Sequence, residues 1–130
     1  MTPEAADFLA NAHRMAAEAE AMLRSNFVEA AARTAYLAAF HAAQALIFDR
    51  TSRVLKTHNG VHTEFARLVR NDESFGPTLR VFLSRAYEFK AVADYGVGDR
   101  MRATPDEARE AVDEAIRFVA LVESKLAALP

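Results

Sequence analysis

Cysteine and tryptophan are absent from the 130 residues, and glycine and proline number only 4 each. The missing cysteine excludes disulfides, thiolate metal sites and cysteine nucleophiles together, and it fits a reducing compartment. No phosphate-binding glycine loop, dinucleotide fingerprint or nucleophile elbow occurs. No run of 18 uncharged apolar residues occurs either, and the opening MTPEAADFLA carries acids where a secretory leader carries Lys or Arg. The expectation is a soluble, cytoplasmic protein with no membrane span. The length suits one domain over residues 1–130 and leaves no room for a second catalytic one.

What the chain has in abundance is alanine, 28 residues of it. Alanine is the best helix former, and glycine and proline are the worst, so the composition is helical. The net charge of −2 hides a pattern. Residues 1–49 carry −3, residues 50–90 carry +4 and residues 91–130 carry −3, counted from Lys, Arg, Asp and Glu. A basic middle between acidic ends is either a solvated surface or a weak anion-binding face.

Four long helices and a short one follow from the patterning. Thr2-Pro3-Glu4 caps a first helix reaching about Arg24, with Phe8, Ala12, Met15, Ala19 and Met22 on one stripe. Asn26-Phe27-Val28-Glu29 has capping-box spacing and is expected to open a second helix over about 27–50. Two of its faces are apolar, so it should lie at the centre, and its alanines should let neighbours approach closely. Thr51 to Gly60 lacks periodicity and reads as a loop. Val61, Phe65, Leu68 and Val69 mark a short third helix, which Asn71 to Pro77 breaks. A fourth helix follows with Leu79, Phe82, Leu83, Ala86, Phe89 and Ala93 on one face, ending near Tyr95-Gly96 before a polar loop. Thr104-Pro105-Asp106-Glu107 caps the last helix, with Ala108, Val112, Ala115, Val119, Val122 and Leu126 in register. The expected fold is all-α, an antiparallel up-down four-helix bundle with an additional short helix.

Three stretches then stand out in order: the run from Arg33-Thr34-Ala35-Tyr36 through Phe40-His41-Ala42-Ala43-Gln44-Ala45-Leu46, Lys56-Thr57-His58-Asn59-Gly60-Val61, and Ala93-Asp94-Tyr95. With the final capped helix they resemble the HEPN superfamily, and most of all its small single-domain prokaryotic branch. The resemblance implies a helical bundle, usually a homodimer, that binds nucleotides or RNA. It also implies a nucleotidyltransferase-like partner, the two acting as a toxin–antitoxin pair. Catalytic members carry Arg-x(4–6)-His on a late helix. The corresponding stretch here is Lys90-Ala91-Val92-Ala93-Asp94-Tyr95, with Lys in the Arg position and Asp-Tyr where the His belongs. Lysine lacks the bidentate fork of arginine, and neither Asp94 nor Tyr95 ordinarily titrates near neutrality. The expectation is therefore a nucleotide- or RNA-associated module that is not an efficient nuclease. The alternatives are a divergent metal-independent ribonuclease, with His58 and Lys90 as catalytic candidates, and a purely structural dimerisation module.

The candidate ligand-binding residues are Arg33, Lys56, His58, Lys90, Asp94 and Tyr95. Each has a structural reading beside the functional one. Arg33, set among alanines, would if buried need a carboxylate, and Asp94 is the partner expected. His41 reads as a hydrogen-bonded core histidine. Lys56 and His58 lead into a helix start that could offer N–H groups to an anion, or they simply hold a loop. Arg53 and His58 have Arg-x4-His spacing but lie in the middle of the chain. His58 and His62 sit one helical turn apart, yet with no cysteine and no Glu at the second position of HNGVH no metal is expected. No cofactor is expected either. Tyr36, Tyr87 and Tyr95 are expected to pack against the bundle with their hydroxyls at its rim.

Overall fold

The computed structural model describes residues 1–95 and 102–127, and its helices begin and end where local chemistry can satisfy free backbone groups. Helix α1 (Pro3–Arg24) starts at Thr2, whose Oγ1 accepts from Ala5 N at 3.1 Å, with Pro3 at the first helical position. Helix α6 (Pro105–Ala127) starts on a reciprocal capping box. Thr104 N donates to Glu107 Oε1 at 3.0 Å, and Glu107 N donates to Thr104 Oγ1 at 3.1 Å. Both caps are those expected from the sequence.

The junction between α1 and α2 (Val28–Thr51) differs from expectation. Asn26 does not cap α2: Phe27 is the N-cap residue and makes no side-chain cap bond. Asn26 instead has φ 66° and terminates α1. Its N–H donates to Leu23 O at 3.0 Å, and Phe27 N donates to Met22 O at 2.9 Å. Those two bonds are the Schellman closure, in which a residue in the left-handed region reverses the chain. Asn tolerates that region better than other non-glycine residues, and the same side chain cannot serve both ends.

Helix α3 (His58–Val69) begins three residues earlier than expected, because Thr57 is its cap. Thr57 Oγ1 accepts from Gly60 N at 3.0 Å. A Cβ on residue 60 would come within 2.7 Å of that oxygen, so the Thr57 side chain would have to shift to admit one. The breaker segment holds a single 3₁₀ turn, Glu73–Phe75, that delivers Phe75 to the core. There it meets Phe65 at 5.5 Å between ring centroids and Phe118 at 6.3 Å. The expected fourth helix is divided at Val81 into α4 (Gly76–Arg80) and α5 (Phe82–Tyr95). Arg80 Nη2 donates to Asp72 O at 2.8 Å and ties α4 back onto the breaker. The expected glycine stop at Gly96, most of the loop after it and residues 128–130 lie outside the described residues.

Helix α2 packs against α1, α3, α5 and α6, and so occupies the centre as its two apolar faces require. Ala31, Ala32, Ala35, Ala38, Ala39, Ala42, Ala43 and Ala45 along it are fully buried. Such small side chains bring helix axes toward the short end of about 8–10 Å. The result is the expected all-α bundle, with no strand among the described residues. Among those residues no helix is long and apolar enough to cross a membrane.

If Asn26 closes α1 rather than opening α2, Asn26→Gly will preserve or raise stability in urea unfolding. Asn26→Ala will lower it by about 1 kcal/mol, the cost of forcing a Cβ into the left-handed region. A loss of stability with glycine as large as that with alanine would contradict the assignment.

Candidate functional site

Three helices bring their polar residues to one junction. On α2, Arg33, Tyr36 and Phe40 follow i, i+3, i+7 spacing and share a face. On α5, Tyr87, Lys90 and Asp94 do the same, and His58 and His62 stand one turn apart on α3. The centre is Tyr36, which is fully buried. Its hydroxyl lies 2.7 Å from His58 Nδ1 and 2.8 Å from His62 Nε2. The Tyr87 ring closes the cluster, 5.4 Å from Tyr36, 4.7 Å from His58 and 5.8 Å from His62. Burial drives the Tyr36 phenol well above its ordinary range, so it stays protonated. Burial also lowers both imidazoles; the Lys90 charge adds to this at His58 while Asp94 opposes it, and His58 adds to it at His62.

Beside this neutral cluster lies a charged one. Asp94 bridges two helices through Arg33 Nε, 2.6 Å from Oδ1, and Lys90 Nζ, 2.6 Å from Oδ2. Those two bonds, Lys90 first, hold the Asp94 carboxyl below the usual carboxylate range. The pairing of Arg33 with Asp94 is present, but the burial expected of Arg33 is not: its side chain is 39% exposed. Arg33 sits on the edge of α2 that turns from the alanine core toward α5. Its pair therefore belongs to the surface class, worth about 0–1 kcal/mol, and not to buried pairs whose disruption costs several.

The junction opens to a groove between α3 and α5, about 310 Å³ in volume and lined by His58, Asn59, His62, Ser84 and Tyr87. It runs into a second depression where Thr63, Ala66, Arg67 and Arg70 join the lining. Arg67 is paired with Glu64, whereas Arg70 is exposed and has no ion-pair partner among the described residues.

Of the residues singled out by sequence, the structure brings Arg33, His58, Lys90 and Asp94 to this junction. Lys56 is exposed on the loop before α3 and does not line the groove. The side chain of Tyr95 lies outside the described residues. Arg53 pairs with Glu64 Oε2 at 3.4 Å while His58 bonds Tyr36, so the Arg-x4-His spacing does not form a unit. The first turn of α3 is less open to an anion than its sequence suggested, since Thr57 occupies the Gly60 N–H. His41 is structural. Gln44 Nε2 donates to Leu55 O at 2.9 Å, leaving Gln44 Oε1 to accept from His41 Nδ1 at 2.9 Å.

The largest departure is Tyr36, whose hydroxyl was expected at the rim and is instead the buried hub. Sequence offered a signal for it: a tyrosine in the middle of an alanine-rich, centrally packed helix must find a partner for its hydroxyl. The sequence pointed to His62 only as a metal ligand, whereas its Nε2 is bonded to that hydroxyl. Among the described residues no group of three or more His, Asp or Glu is placed to hold a metal ion.

The fold and junction define a small helical module built on a central alanine-rich helix, with a polar groove between α3 and α5. The family model for the HEPN domain matches residues 5–125. The chain belongs to the HEPN family. None of the curated proteins compared with it matches.

His41, His58 and His62 all have folded pKa values lowered chiefly by burial. Their neutral forms stabilise the fold above the ordinary imidazole value of about 6.5, and that stability is lost as pH falls below it. Glu114, raised by burial, works in the opposite sense, but it is one carboxyl against three imidazoles. The melting temperature is expected to fall between about pH 7.5 and 5.5, and the slope to be shallower in a His58→Gln/His62→Gln double variant. A flat or rising profile in the unmodified protein would contradict this.

Proposed function

We propose that residues 1–130 act as a single HEPN-like domain that binds a nucleotide or RNA in the α3–α5 groove. It works as a homodimer beside a nucleotidyltransferase-like partner, in a cytoplasmic toxin–antitoxin-type pair, and is not itself an efficient nuclease. HEPN domains are nucleotide- or RNA-associated helical modules, and the chain belongs to that family. The observation that carries the reading is the meeting of His58, His62 and Tyr87 in one open groove, with Arg67 and Arg70 along its extension. Aromatic and imidazole rings offer stacking and hydrogen bonding to unpaired bases, and cations along the groove suit the backbone phosphates.

Weak nuclease activity follows from the electrostatics of the late helix. Asp94 stands where a catalytic histidine belongs in the family, and its two cations hold it ionised and weakly basic. A base so far below neutrality abstracts protons poorly. The charge of Lys90 is engaged by the same carboxylate at 2.6 Å.

Fluorescence anisotropy with short single-stranded RNA and with mononucleotides tests binding, and light scattering tests the dimer. The expected result is saturable binding that weakens about tenfold, ~1.4 kcal/mol, in His58→Ala. RNA should remain intact when incubated with the protein and a chelator. Absence of binding with no copurifying partner would sink the reading. Chelator-resistant cleavage abolished by His58→Ala would replace it with a metal-independent ribonuclease.

A further inference from the structure

The bonds at Tyr36 carry a constraint that involves proton counting alone. A phenol has one O–H to give, and a neutral imidazole has one N–H and one lone pair. Tyr36 Oη meets two ring nitrogens, at 2.7 and 2.8 Å. It therefore donates to one ring and accepts an N–H from the other. His58 is engaged through Nδ1 and His62 through Nε2. If Tyr36 donates to His58, the His58 proton is on Nε2, and His62, which must donate from Nε2, has its proton there also. If Tyr36 donates to His62, both rings carry the proton on Nδ1. The two rings share one tautomer and change it together.

We propose that Tyr36 is a positioning residue that couples the tautomers of His58 and His62, so that one ring always offers the groove an N–H while the other offers a lone pair, and that these two groups engage separate polar atoms of a nucleobase. In one state His58 Nε2–H donates and His62 Nδ1 accepts; in the other the roles are exchanged. Conversion moves a proton across each bond of the chain and creates no charge. A proton taken up at the outward lone pair of one ring is matched by one released from the outward N–H of the other, with Tyr36 passing its own along.

The choice of a base over a phosphate rests on charge and shape. The Lys90 ammonium that faces His58 is bound to Asp94, and both imidazoles are neutral at pH 7. A neutral donor and a neutral acceptor do not compensate a phosphate dianion, whereas each can hydrogen-bond a separate polar atom of a heterocycle. The Tyr87 ring, which lines the same groove, supplies a face for that heterocycle to stack on. Asn59 and Ser84 add polar groups to the lining.

This inference deepens the nucleotide-binding reading and rests on it for the ligand. Long-range ¹H–¹⁵N spectra of the labelled full-length protein at about pH 8, above the ordinary imidazole range, read each ring's tautomer directly. The expected result is the same tautomer on His58 and His62, with adenosine or uridine moving the signals of both rings together and inorganic phosphate moving neither. Tyr36→Phe, which keeps the ring and removes the hydroxyl, should let the rings respond separately and weaken nucleoside binding several-fold. Opposite tautomers in the unmodified protein would overturn the coupling. A nucleoside that binds while shifting neither ring would overturn the base assignment. If no nucleoside or nucleotide binds at all, the binding reading and the base assignment fail together, while the tautomers still decide the coupling.

Discussion

A tyrosine hydroxyl buried in the middle of the central helix needs hydrogen-bond partners, and meeting that need organises one side of the bundle. Left alone, such a group costs about 1–3 kcal/mol. Tyr36 finds its partners on a different element, the first turn and a half of α3. The Thr57 cap fixes where α3 begins, and hence that His58 and His62 arrive at the hydroxyl. Tyr87 then covers the pair from α5. A single polar atom thereby ties the first turns of α3 to the middle of α2, with Tyr87 of α5 packed over the pair.

The rest of the molecule makes that arrangement possible. Alanines along α2 let four helices crowd it, so a residue on its axis can be wholly enclosed. The core divides into two aromatic groups that share α3. Phe65, Phe75, Phe82 and Phe118 form an apolar cluster, while Tyr36, His58, His62 and Tyr87 form a polar one. The apolar group supplies burial, and the polar one supplies direction and the chemistry of the groove. The Arg33–Asp94 pair adds little stability at the exposure of Arg33, while the shared carboxylate engages the charges of both Arg33 and Lys90.

Local chemistry was legible in the sequence, and closure between distant segments was less so. Thr2 and Thr104 announce their helices because a cap and its target lie within four residues. Asn26 shows the limit of the same logic. Asn favours both the N-cap and the left-handed C′ position, and spacing to Glu29 alone cannot choose between them. The distant pairing of Arg33 with Asp94 was accessible through charge, since a guanidinium among alanines demands a carboxylate. The degree of its burial was not, because it depends on where α5 lies. The Tyr36 hub joins residues 22 and 26 positions apart through ring nitrogens that no periodicity reports. The helical order was within reach of sequence patterning and the HEPN family within reach of the resemblance carried by residues 33–46, 56–61 and 93–95, whereas the geometry of the groove required the folded chain.

Backbone amide chemical-shift mapping during titration with a short single-stranded RNA tests most directly whether this junction is where the domain meets its ligand. The account predicts shifts concentrated on the residues of α3, its C-cap and α5 that line the groove, among them Asn59, His62, Arg70, Ser84 and Tyr87. Shifts concentrated on the outer faces of α1 and α6, with the groove residues unmoved, would contradict it.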